Sequence, residues 1–241
     1  MKTEFRKMTV PLLFCVIIFG LSGGAMALNV SFTKSVTASD NVYVAYLGNT
    51  ITLNATVTPS ISGEPDGEYT GTNETIEYRW FVDNSLTNET RNFIELCDGQ
   101  HYISGYGSYT VRCEARYSIS YSNGNEQIAS YNSNWFTVGE KEVTFFILEF
   151  QKENGTVISS VTIAKDGTEK VRAVLHPSVS VSITLTKSDD GITATYTIPG
   201  IVQITGNTLG SYSLYASYRN QRVKTWNVEV ANAYINLYFV P

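Results

Sequence analysis

Between residues 107 and 126 the chain reads GSYTVRCEARYSISYSNGNE. From Tyr109 to Tyr121 every second residue is apolar or aromatic, and the residues between are Thr110, Arg112, Glu114, Arg116, Ser118 and Ser120. A period of two puts one face of an extended strand on a core and the other in water. The same alternation recurs upstream. Ile51, Leu53, Ala55 and Val57 alternate in one segment, and Ile76, Tyr78, Trp80 and Val82 in the next. The long strand should turn at Ser122-Asn123-Gly124-Asn125, where Asn-Gly suits a type I′ hairpin. The returning strand, with Tyr131, Trp135, Phe136 and Val138, has muddled parity and predicts a bulge.

Charged residues collect in VGEKEVTFF at 138 to 146, as in a short domain linker. The alternation then restarts. It sets Val171, Ala173 and Leu175 on one side of a strand, then Val181, Ile183 and Leu185, then Ile192, Ala194, Tyr196 and Ile198. Tyr212, Leu214, Ala216 and Tyr218 follow, and last Trp226, Val228 and Val230. Almost nothing in the mature chain carries a helical period. About seven strands per roughly 100 residues, twice over, predicts two tandem β-sandwiches, at 28–139 and 140–241. The halves echo each other: GSYTVRCEARY matches GSYSLYASYRN, LNATVTPS matches VRAVLHPS, and each late strand is followed by one with a Trp (Trp135, Trp226).

The N-terminus stands apart from this pattern. Lys2, Arg6 and Lys7 precede the apolar run MTVPLLFCVIIFG, and Ala25 and Ala27 follow with the spacing of a cleavage site. Residues 1–27 are therefore expected to be a signal peptide, which makes the chain secreted or cell-surface. Cys15 would leave with it. Cys97 and Cys113 would remain as a pair in an oxidising compartment, and the expectation is one disulfide, worth about 3 kcal/mol for a loop of this length. Cys113 shares a face with Val111 and Ala115 and is predicted to be buried.

Composition removes several classes of function. A formal charge of −5 argues against nucleic-acid partners. With 43% hydrophobic and 16% charged residues a packed core is expected rather than disorder. No membrane span is expected in the mature chain.

On these residues, SSVTIAKDGTEKVRAVLHPSVS and ITGNTLGSYSLYASY resemble bacterial Ig-like domains of group 2, over about residues 156 to 230. The family's usual Trp on the middle strand is replaced near Leu185. YRWFV and GSYTV in the first half resemble Ig-like or polycystic-kidney-disease-type domains, although Asp83-Asn84 stands where the latter carry a Gly-Asp turn. The resemblance implies stalks, spacers or adhesive modules.

Candidate chemistry is sparse. His101 lies in a Gly-rich loop and His176 before Pro177, neither beside a nucleophile motif, so no catalytic residue, cofactor or resident metal is expected. Glu64, Asp66 and Glu68 cluster in GEPDGE, which reads as a solvated loop tip rather than a Ca²⁺ site. The sequons at Asn29, Asn54, Asn73, Asn88 and Asn154 occur about as often as this Ser/Thr-rich composition gives by chance. Tyr102, Tyr106, Trp135 and the outward-pointing Tyr215 are candidates for stacking on a ligand. The reading is a non-enzymatic structural or adhesive module whose partner is an extracellular protein or glycan. The alternative is a carbohydrate-binding module. The terminal AYINLYFVP either closes the second sandwich or offers an edge to a partner.

Overall fold

A computed structural model describes residues 28–65, 69–196 and 199–232. The expected signal peptide, Asp66, Glu68, Ile198 and the stretch 233–241 lie outside the described residues. The chain is all-β. Its strands are β1 (Asn29–Ala38), β2 (Val44–Tyr46), β3 (Ile51–Ser62), β4 (Gly71–Val82), β5 (Ser85–Leu86), β6 (Phe93–Leu96), β7 (Gly107–Asn123), β8 (Glu126–Asn132) and β9 (Phe136–Gln151). They continue as β10 (Val157–Ile158), β11 (Ser160–Ala164), β12 (Thr168–His176), β13 (Thr184–Lys187), β14 (Ile192–Tyr196), β15 (Gly200–Gly206), β16 (Gly210–Tyr218) and β17 (Gln221–Ala231). Among the described residues the one helical element is a single 3₁₀ turn, Ser39–Asn41.

The chain packs as two compact units. Among the described residues, one is built from those up to Thr37, Leu53–Ile94 and Val111–Lys141, and the other from Ala38–Thr52, Glu95–Thr110 and those from Glu142 onward. Residues 138 to 146, which the charge pattern marked as a linker, are instead strand throughout, as part of β9. The physical reason is visible in the side chains: Val138, Val143, Phe145 and Phe146 are buried, and burial outweighs the charges between them.

In the first unit β4 and β7 pair antiparallel over twelve positions, from Gly71↔Ser122 to Val82↔Val111. The strict alternation of β7 is realised: each odd residue from Tyr109 to Tyr121 is buried and each even one is not. Trp80 faces Cys113 across the pair, and both are fully buried. Tyr117, Ile119, Tyr121, Ala129 and Leu28 form a cluster with Phe32 and Phe136 against it. The β7–β8 hairpin forms, but its two-residue loop is Gly124-Asn125, closed by Asn123↔Glu126. Gly124 has φ 61°, so a glycine sits at the first loop position, where positive φ costs nothing. The bulge expected among Tyr131, Trp135, Phe136 and Val138 is not there: their parity is muddled because β8 ends at Asn132 and β9 begins at Phe136, while a register skip lies earlier, at Ile128 between Tyr121↔Ala129 and Ser122↔Gln127.

In the second unit β9, β12, β15 and β14 form one antiparallel array, and β11, β17, β16 and β13 another sheet. β11 runs parallel to β17; the other pairings in that sheet are antiparallel. Their inward residues build one core, in which Trp226 stacks on Phe150 at 4.5 Å and 14°.

The two GSY motifs share a local structure. Gly107 has φ 149° and Gly210 has φ 146°, a region that favours glycine. Two residues on, Tyr109 donates its hydroxyl to the Gly105 carbonyl at 2.9 Å, and Tyr212 donates to the Leu209 carbonyl at 3.3 Å. A tyrosine at a strand start that bonds back to upstream backbone is a corner device of immunoglobulin-like sandwiches.

Candidate functional site

Cross-strand register decides what the first unit shows to solvent. Opposite the buried row, β4 presents Glu77, Arg79 and Phe81, and β7 presents Arg116, Glu114 and Arg112, paired in that order. Directly opposed positions on one face of an antiparallel pair interact. Arg79 donates from Nε and Nη2 to Glu114 Oε2 at 2.8 and 2.5 Å. Arg116 donates from Nη2 to both Glu77 oxygens, at 2.9 and 2.7 Å. Arg112 Nε lies 3.6 Å from the other Glu114 oxygen.

Aromatic rings fill the spaces between these guanidiniums. Arg112 lies 4.4 Å and Arg79 5.4 Å from the Phe81 ring centre. Arg79 lies 4.3 Å and Arg116 5.3 Å from the Trp135 ring centre. Cation and ring thus alternate in the order Arg112, Phe81, Arg79, Trp135, Arg116. Each such contact is worth about 0.5–1 kcal/mol at an exposed site. The ladder fixes long side chains that would otherwise lose entropy on meeting a partner.

A second ordered group stands behind it. Trp80 donates Nε1 to the Arg91 carbonyl at 2.9 Å, and Thr87 N donates to the Trp80 carbonyl at 2.8 Å. Within that loop the Glu89 carboxylate accepts from Thr90 N, Arg91 N and Arg91 Nε at 2.9–3.0 Å, and from Arg91 Nη2 at 2.6 Å. The Arg91 guanidinium holds the Glu89 carboxyl down at about 2, against an ordinary 4.5. Arg91 in turn lies over Phe93 at 4.0 Å.

The ligand candidates read from sequence are dispersed. Tyr102 and Tyr106, 61% and 51% exposed, belong to the β6–β7 loop. Tyr106 lies 6.1 Å from the His176 ring. Trp135 precedes β9, with its ring engaged by Arg79 and Arg116. Tyr215 is on β16, half-buried, with the Arg222 guanidinium 3.7 Å over its ring. His176 Nε2 is 3.3 Å from Glu149 Oε2. Glu64, the described member of the acidic cluster, accepts from the Tyr121 hydroxyl at 2.6 Å, and burial together with that bond pushes Tyr121 up to about 12.

The disulfide expected between Cys97 and Cys113 is not formed; both are free thiols. Parity seats Cys113 deep between Val111 and Ala115, where its thiol contacts the Glu114 carbonyl and burial pushes it up to about 12. Cys97 is half-buried in the turn after β6, where its carbonyl accepts from Gln100 N at 3.1 Å. The guanidinium ladder was missed from sequence because it depends on which residue of β4 lies opposite which residue of β7.

No protein-family model matches the chain, and no curated protein matches it. Solved structures that it resembles include three N-terminal domains of the outer capsid protein Hoc of bacteriophage RB49, at 13% identity and TM-score 0.39, covering 85% of this chain and 71% of that one. An I-band fragment of titin has 13% identity and TM-score 0.38, with 86% and 66% covered. The insect immune protein hemolin has 12% identity and TM-score 0.30, with 80% and 45% covered. Likeness at this level extends to neither role nor partner. Among the described residues no helix is long and apolar enough to cross a membrane.

Proposed function

We propose that this chain is a secreted or cell-surface structural and adhesive module without catalytic activity, made of two immunoglobulin-like sandwiches in tandem, 28–139 and 140–241. The observation that carries the adhesive reading is the arginine–aromatic ladder on the outer face of β4 and β7. Arginine and tryptophan dominate the energetics of protein interfaces. Here they stand pre-ordered on a rigid sheet, with Glu77 and Glu114 offsetting two of the three guanidinium charges. The tyrosine corners at Tyr109 and Tyr212 support the immunoglobulin-like reading.

The experiment coats beads with residues 28–241 and measures their retention on intact cells of the source organism. Wild-type beads are expected to be retained, and Arg116→Ala with Trp135→Ala to lose at least tenfold in retention. Equal retention of both proteins, or turnover of any peptide or glycan by the purified chain, would overturn the proposal.

A further inference from the structure

The ladder on β4 and β7 is unevenly filled. Arg79 and Arg116 each donate to a carboxylate, Glu114 and Glu77 respectively. Arg112 donates to none. Among the described residues its side chain makes no hydrogen bond, and its Nε is buried without an acceptor. Its one ion pair among them is with Glu114 at 3.6 Å, too long for a hydrogen bond, and Arg79 already holds that carboxylate. The guanidinium charge that the two carboxylates leave over therefore sits at Arg112, whose side chain is 30% exposed. Register sets an apolar strip beside it. Arg112 pairs with Phe81 across β7 and β4, and Phe81 pairs with Leu86 across β4 and β5. Directly paired residues share a face, so the three form one row. Leu86 is 52% exposed, and β5 is the end strand beyond β4.

We infer that this row receives an acidic segment of a partner protein, with a carboxylate on Arg112 and an apolar side chain on Leu86. The inference rests on the adhesive reading of the same face and names the chemistry of its partner. A guanidinium offers five N–H donors in a planar fork that matches a carboxylate bidentately. An incoming carboxylate supplies the acceptors that Arg112 lacks and cancels its unmatched charge. Phe81 lies 4.4 Å from the guanidinium and holds it in place, so little side-chain freedom is lost on binding. From Arg112 to Leu86 the row spans two interstrand spacings, about 10 Å. The ligand must carry a carboxylate and an apolar group that far apart. Side chains two or three positions apart on an extended peptide meet this, at roughly 3.3 Å per residue. A small free carboxylate covers one end of the row only. A sulfated glycan brings many charges and no apolar side chain, and its charges run into Glu114 and Glu77 along the ladder.

The test is an array of immobilised peptides, each with one Asp or Glu set two or three positions from a Leu or Phe. The same peptides with Asn or Gln, and sulfated oligosaccharides, are printed beside them, and the array is probed with residues 28–241. Binding to the acidic peptides is expected to exceed binding to their amide versions at least tenfold. It is expected to fall at least tenfold in Arg112→Gln and in Leu86→Ser. Both side chains reach the surface, so the variants keep their core; an unchanged urea midpoint confirms this. Equal binding to acid and amide, binding to sulfated glycans alone, or binding that both variants leave intact would each overturn the inference. The two readings fail separately. If wild-type beads hold to cells and Arg112→Gln beads hold equally, adhesion stands and the acidic partner is overturned. If no beads hold while the array gives the expected pattern, the adhesive reading fails and the peptide site remains.

Discussion

At the scale of single residues, burial and partners decide what each group can do. Glu89 shows this most clearly: its side chain is only 9% exposed and four donors converge on it. Its folded carboxyl titrates near 2 and its unfolded carboxyl near 4.5, so between those values the unfolded chain binds more protons. The stabilisation from Glu89 is therefore complete above pH 4.5 and drains away as pH falls to 2. Glu89→Gln is expected to flatten the fall of the urea midpoint across that window; an unchanged slope would show that the Arg91 contacts do not matter to folding. The sequence revealed half of the cysteine story. Parity alone indicated that Cys113 is buried. Pairing with Cys97 needs spatial proximity, which a spacing of sixteen residues does not specify.

At the scale of elements, the strands were legible and their exact partners were not. Period-two alternation depends only on side-chain polarity, so the inward sets of β3, β4, β7, β12, β16 and β17 could be read directly. The linker expected at 138 to 146 is strand instead: Glu140, Lys141 and Glu142 form a short charged run between the buried Val138 and Val143, and such a run looks like a charged loop in sequence. The two tryptophans that seemed equivalent in the internal echo differ in fact. Trp226 is buried on Phe150, whereas Trp135 is half-exposed among guanidiniums. The buried counterpart in the first unit is Trp80, which also makes a hydrogen bond, while Trp226 Nε1 has no acceptor among the described residues. Trp80→Phe is therefore expected to destabilise by about 1 kcal/mol more than Trp226→Phe, the net worth of one buried hydrogen bond. Equal losses in urea unfolding would contradict that assignment.

At the scale of the molecule, the all-β class follows from a chain with almost no helical period and 43% hydrophobic residues. The composition of the two packing units did not follow. Each unit collects separate stretches of chain, and such long-range assembly leaves no local trace in sequence. The candidate site was legible to the same limited degree: Trp135 stood out as an aromatic, while its arginine partners emerged only with the β4–β7 register. Both the core and the proposed binding face rest on one claim, that alternate residues of each strand face inward and outward. The most direct measurement is a cysteine scan along β7 in a background with Cys97 and Cys113 replaced, placing one cysteine at each position from Thr110 to Ser120 and following thiol labelling of the native protein. Labelling rates are expected to alternate by at least tenfold, fast at even positions and slow at odd ones. Uniform rates, or rates repeating every three to four residues, would contradict the account.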